Sequence, residues 1–266
     1  MPVDEHIIAD LRSVAEALAD AARAETLRHF RAPGLEAQSK RDDFDPVTIA
    51  DRAAETAMRD ILEKHRPDDG ILGEEHGTVE GTSGLTWVLD PIDGTRGYIS
   101  GTPTWGVLIA VSDDTGPRMG LIDQPYIGER FFGGPGVATM TGPLGERELK
   151  VRKTVELSDA ILFTTFPEIG TELDRAAFER VAPDVKLTRY GCDCYAYALL
   201  AAGQIDLVIE AGLQPYHIQA PIAVIEAAGG IVTNWEGGPV HEGGRALAAA
   251  TPELHRAALE RLGSAT

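Results

Sequence analysis

Trp87-Val88-Leu89-Asp90-Pro91-Ile92-Asp93-Gly94-Thr95 runs from an apolar triplet into two aspartates three residues apart. The triplet reads as a short buried strand. Pro91, which has no N–H to give to a ladder, cuts it off. Asp90 then arrives at the strand's carboxyl end, and Asp93 returns around a tight turn. Two carboxylates and the Ile92 carbonyl converge on one point, an all-oxygen donor set suited to a hard cation such as Mg2+. Gly94 lets the backbone approach closely, and the N–H groups after it can face an anion. The plainer reading is an ordinary Asx turn at a strand end.

Two further acidic clusters flank this motif. Gly73-Glu74-Glu75 follows a short apolar stretch, so it too lies at a strand end. Asp45-Pro46-Val47-Thr48-Ile49-Ala50-Asp51 sets two aspartates and a threonine around a helix start. Helix capping alone would account for Asp45 and Thr48, and a solvated loop for Glu74 and Glu75. Three such clusters with no basic residues nearby read instead as a multi-metal centre for phosphoryl chemistry.

The periodicity around the motifs is mixed. Ile7, Ile8, Leu11, Val14, Leu18, Ala21 and Ala22 share one helical face, closed by Arg31-Ala32-Pro33-Gly34. A second helix is expected over 48–64, ended by Pro67-Asp68-Asp69-Gly70. Strands are expected at 71–73, 87–89, 107–111 and 120–123, with Gly-rich turns through 142. Beyond a polar, turn-rich stretch over 141–158, strands at 161–165, 207–209 and 231–234 alternate with helices at 194–202, 218–228 and 252–262. This alternation predicts an α/β fold in layers. The expected division is an N-terminal α+β subdomain, 1–145, carrying the metal motifs, and a C-terminal α/β subdomain, 146–266, completing the site.

Composition narrows the function. The chain has 266 residues, with 24 Lys plus Arg against 42 Asp plus Glu, a formal charge of −18. That balance argues against a nucleic-acid or anionic-membrane surface, both of which reward basic residues. Hydrophobic residues at 43% exclude global disorder. Cys192 and Cys194 are too close for an easy disulfide and too few for a metal knuckle, so they read as packing residues in a reducing compartment. The acidic Met1-Pro2-Val3-Asp4-Glu5 lacks a signal-peptide layout, and no apolar run nears the about 18 residues that span a bilayer. A cytoplasmic protein is expected.

In order and spacing, Lys40 with Asp45-Pro46-Val47-Thr48-Ile49-Ala50-Asp51, then Gly73-Glu74-Glu75, then the stretch from Asp90 to Thr95, resembles the inositol monophosphatase-like, Mg2+-dependent phosphatases. Glu226-Ala227-Ala228-Gly229-Gly230 is similar to the segment after that family's last metal motif, so the resemblance covers essentially the whole chain. Arg189-Tyr190-Gly191-Cys192-Asp193-Cys194-Tyr195-Ala196-Tyr197 and residues 206–212 look like its histidinol-phosphate phosphatase branch.

The resemblance implies a layered αβαβα sandwich, usually a homodimer, with the site between its halves. It implies a phosphomonoesterase of histidine biosynthesis that hydrolyses histidinol phosphate to histidinol and phosphate. Inositol phosphate or another small phosphate ester is the alternative substrate. Two or three Mg2+ ions per site are implied, the first held by Glu74, Asp90, Asp93 and the Ile92 carbonyl, with Asp90 bridging to a second. Asp51 and Thr95 would orient a metal-activated water that attacks directly, with Glu74 part of the same catalytic set. Asp93 and the Gly94 and Thr95 amides would meet the phosphate, and Glu75 would be a supporting carboxylate.

Asp193 and Glu210 are the specificity candidates. Histidinol phosphate carries an ammonium and an imidazole, which acidic side chains would favour over a neutral polyol. Asp193 can equally cap the helix that begins near Cys194. Arg189 pairs either with substrate phosphate or with an acidic neighbour.

One position departs from the family pattern. Within Gln214-Pro215-Tyr216-His217-Ile218-Gln219-Ala220, the residue that matches the family's last aspartate ligand is His217. Imidazole is a poor Mg2+ ligand and suits Zn2+ or Mn2+ better. Weaker second-metal binding, an altered metal preference, or a weakened variant that binds without useful turnover would follow. A capping role for His217 removes the ligand just the same.

Overall fold

Helix α1 (Glu5–His29) buries Leu11, Ala15, Leu18 and Ala22 along one stripe, and α2 (Ile49–His65) meets it through Ala54, Met58 and Leu62. The computed structural model describes residues 5–33, 38–39 and 46–263, so the Lys40 and Asp45 motif positions lie outside the described residues. Thr48 caps α2: its hydroxyl oxygen accepts from Ala50 N–H, and Asp51 answers from the third helical position. The capping reading of Thr48 is therefore right. A two-residue pair, β1 (Gln38–Ser39) and β2 (Pro46–Val47), precedes it.

The strands that follow are β3 (Gly70–Gly73), β4 (Gly77–Val79), β5 (Thr86–Asp93), β6 (Gly106–Asp113), β7 (Gly116–Gln124), β8 (Glu129–Gly134), β9 (Val137–Gly142) and β10 (Gly145–Glu148), with helix α3 (Thr95–Ser100) after β5. They form one sheet of order β10-β9-β8-β7-β6-β5-β3-β4, antiparallel except where β3 and β5 run parallel.

A second sheet holds β11 (Ile161–Thr164), β12 (Leu187–Tyr190), β13 (Leu207–Leu213), β14 (Ile231–Thr233) and β15 (Gly244–Ala249) in the order β12-β11-β13-β15-β14. Helices α4 (Glu172–Val181), α5 (Cys194–Ala201), α6 (Pro215–Ala227) and α7 (Pro252–Gly263) complete the chain.

Three of the four cores among the described residues stack the layers. One joins α1 and α2 to the first sheet through Trp87, Leu89 and Ile109. Another joins α5 and α6 to both sheets through Leu108, Ile122, Val208 and Ala248. The third seals α4 and α7 on the outer face of the second sheet through Phe178, Leu207 and Leu254. The result is the layered αβαβα sandwich, with α5 and α6 as its central layer. Contact there is close: a Cβ on Gly120 would stand 2.4 Å from the Ala220 carbonyl oxygen of α6, so only glycine fits that strand position. Asp123, fully buried on β7, ties the layers by accepting from Arg23 of α1 (2.6 Å) and Arg130 of β8 (2.8 Å). Among the described residues no helix is long and apolar enough to cross a membrane.

Candidate functional site

β3 and β5 pair in parallel with Gly73 opposite Leu89, so their carboxyl ends release Glu74 and Asp90 side by side. Glu74 N–H still donates to Leu89 O at 3.2 Å. Pro91 does not end β5 as expected. The strand runs on to Asp93 through a register shift against β6 between Asp90 and Asp93, where the missing proline N–H takes nothing from the ladder. This bulge turns the two aspartates to one side.

Asp90 is fully buried. Its Oδ1 accepts Ile92 N–H at 3.1 Å, and its Oδ2 is buried with no hydrogen-bond partner. Burial, with the negative charge of Glu74 and Asp93 beside it, pushes its pKa well above the carboxylate range. Asp93 accepts Cys194 N–H on Oδ2 at 2.6 Å. Burial and the nearby Asp193 push its carboxyl up to about 8. Asp51 holds the Thr48 N–H (2.8 Å) and hydroxyl (2.6 Å) on one oxygen, and burial raises it to about 6 in spite of both bonds.

A cavity of about 300 Å3 opens over these groups. Glu74, Asp90, Ile92, Asp93, Gly94, Thr95 and Arg96 line it from the first sheet's motif loops. Thr165, Phe166, Asp193, Cys194, Tyr197, Glu210 and His217 line it from the other half. Of the expected site residues, Asp51 stands behind the wall. Arg189 sits on β12, exposed and outside the lining. Thr95 lines the cavity with its hydroxyl donating to Ile92 O at 3.1 Å. Glu75 N–H is held by Glu55 Oε2 at 2.7 Å, which fits a supporting place outside the lining.

Gly94 adopts φ +86°, and a Cβ there would meet the Asp193 carboxyl at 2.8 Å. The two loops can close on each other only with glycine at this position. Asp193 heads α5 but makes no side-chain cap; the backbone turns through φ +82° at Cys192 and +45° at Asp193. The capping alternative for Asp193 is thus set aside, and its carboxyl faces Gly94. Burial lifts it to about 6, opposed by the charge of Arg96. Glu210, 7% exposed, accepts both the N–H (2.6 Å) and the hydroxyl (2.8 Å) of Thr165, and burial pushes it up to about 7.

Glu74, Asp90 and His217 offer ligand atoms that all lie within 4.8 Å of one another. An orphaned buried carboxylate oxygen among like charges that resist joint ionisation is a donor set fitted to a divalent cation. His217 Nε2 stands 3.8 Å from Asp90 Oδ2.

Arg96, Phe166 and Tyr197 are among the lining residues that escaped the sequence reading. Arg96 directly follows Thr95 and lies over the Phe166 ring at 5.0 Å, so its adjacency to the motif was the available signal. Phe166 had no such signal. Tyr197 ends the quoted segment around Asp193, and its buried hydroxyl has no hydrogen-bond partner.

A family model described as the inositol monophosphatase family matches residues 8–266. The chain is 43% identical to the bifunctional phosphatase IMPL2, chloroplastic, of Arabidopsis thaliana, over 94% of this chain and 74% of that one. It is 36% identical to a histidinol-phosphatase of Streptomyces coelicolor, over 92% and 94% of the two chains. An inositol-1-monophosphatase of Caulobacter vibrioides is 33% identical over 85% and 91%. Among solved structures, an inositol monophosphatase from Zymomonas mobilis aligns over 98% of this chain and 100% of its own, with a TM-score of 0.85 and 35% identity.

Proposed function

The chain belongs to the inositol monophosphatase family of phosphatases, and we propose that its substrate is histidinol phosphate, cleaved to histidinol and phosphate. The observation that carries this reading is the pair of carboxylates, Asp193 and Glu210, in the same cavity as the Glu74, Asp90 and Asp93 cluster. The charge of Asp193 bears on both Asp93 and Glu210 and pushes each carboxyl up. An ammonium or imidazolium would compensate the charge of these buried carboxylates, which a neutral polyol cannot do.

Glu74, Asp90, Asp93 and the Ile92 carbonyl would hold Mg2+. When bound, such a cation supplies positive charge to the phosphate and lowers the pKa of a coordinated water. The chain's own part is positioning. Thr95, fixed by its bond to Ile92 O, and Asp51, held by Thr48, would orient the attacking water. Gly94, Thr95 and Arg96 line the cavity, where the two backbone N–H groups and the guanidinium would meet the phosphate. Cys194 N–H holds Asp93 in place.

The test is release of phosphate from histidinol phosphate in the presence of Mg2+, and its loss on chelation. No release from any phosphate ester would remove the reading. His217 favours a second reading, a weakened member that binds without useful turnover. Restored turnover in His217→Asp, against a near-silent parent, would support it.

A further inference from the structure

Helix α6 opens with a reciprocal cap. Gln214 is its N-cap, and the Gln214 backbone N–H donates to His217 Nδ1 at 3.1 Å. An imidazole nitrogen that accepts a hydrogen bond carries no proton, so the ring's proton sits on Nε2. Tyr216 meets the ring edge-on, with centroids 4.7 Å apart at 90°, and helps hold its plane. Nε2 lines the cavity 3.8 Å from Asp90 Oδ2, the buried oxygen that lacks a partner.

For Nε2 to ligate a cation, its proton would have to move to Nδ1. There it would face the Gln214 N–H, donor against donor, and the cap would be lost. The reciprocal cap and metal ligation therefore exclude each other.

Resting on the phosphatase reading above, we infer that His217 meets the phosphate ester as an Nε2–H hydrogen-bond donor and not as a metal ligand, so that this site holds one cation fewer than it would with aspartate at 217. The donor partly replaces what a second cation does for the phosphate: it offers positive character to an oxygen without adding a ligand.

Nitrogen-15 NMR of the full-length protein reads the ring directly, with the His217→Asn spectrum assigning the resonance. The expected result is a protonated Nε2 and an unprotonated Nδ1, both unchanged on adding Mg2+ or Zn2+. Titration calorimetry with Mg2+ should give equal stoichiometry for the parent and His217→Asn, and one further ion per chain for His217→Asp. KM for the ester should rise about fivefold in His217→Asn, the loss of one hydrogen bond. A proton leaving Nε2 when metal is added, or one ion fewer in His217→Asn than in the parent, would overturn the inference. Failure of parent and His217→Asp alike to cleave any ester would remove the phosphatase reading and the ester contact with it. The ring spectrum and the ion count decide the ligand question independently of turnover.

Discussion

Asp93 Oδ2 accepts the backbone N–H of Cys194 at 2.6 Å, a bond between residues 101 apart in sequence. It pins the motif loop of the first sheet to the start of α5 and so holds the two walls of the cavity together. Asparagine can still accept this bond and has no charge to bury; alanine can do neither. In metal-free protein, Asp93→Asn should keep or raise the melting temperature. Asp93→Ala should lower it by about 3–6 °C, the worth of about one buried hydrogen bond in a chain of this size. Both should lose turnover, since neither supplies the carboxylate. Scanning calorimetry with chelator present, beside a phosphate-release assay, separates the two effects.

Cation binding should expel protons. Asp93 is held up to about 8, chiefly by burial, so at pH 7 the apo site carries a proton that a divalent ion displaces. Calorimetric titration with Mg2+ in two buffers of different ionisation enthalpy should give apparent enthalpies that differ by the protons released. Equal enthalpies would mean the carboxylates are already ionised.

Glu210 should make the metal-free protein less stable as pH rises. Its folded pKa, about 7, lies above the ordinary 4.5, so the folded state binds the proton more tightly than the unfolded one. That stabilisation is complete below pH 4.5 and is lost as pH climbs through 7. The shift corresponds to a loss on the order of 3 kcal/mol. Glu210→Gln keeps an acceptor for Thr165 and cannot ionise, so its denaturation midpoint should fall less steeply over the same window, with Asp93, Asp51 and Asp193 giving the slope that is left. A parallel decline in both proteins would assign the slope to other groups.

Tyr197 should separate stability from binding. Its buried hydroxyl has no partner, so Tyr197→Phe should stabilise the metal-free fold by about 1 kcal/mol. Tyr197 also lines the cavity, so the same change should raise KM for histidinol phosphate about fivefold with kcat little altered. A fall in kcat alone would place Tyr197 at the chemistry instead.

What could be read without coordinates followed from chain-local physics. The Asp90 to Thr95 stretch announced two carboxylates sharing one site, and both aspartates do line the cavity, although the strand runs on to Asp93 where a turn was expected. The apolar stripes of α1 and α2 were equally plain. Helix α4 went unread, although Thr171 and Asp174 form a capping box ahead of it; only Ala177, Phe178 and Val181 are buried, too few to stand out as a stripe. The continuation of β5 past Pro91 depends on a bulge set by pairing with β6, which no local pattern encodes. The direction of the Asp193 carboxyl depends on left-handed backbone at Cys192 and Asp193, unusual for these residue types. Its cap preference pointed the wrong way.

Pairing of the acidic wall with a cationic substrate is the central claim, and one ratio tests it. With Mg2+ present, kcat/KM for histidinol phosphate should exceed that for inositol 1-phosphate by at least about tenfold, the preference expected from one compensated buried charge. Asp193→Asn should narrow the gap by weakening the histidinol ester alone. Equal or faster turnover of the inositol ester would contradict the assignment while leaving the phosphatase family untouched.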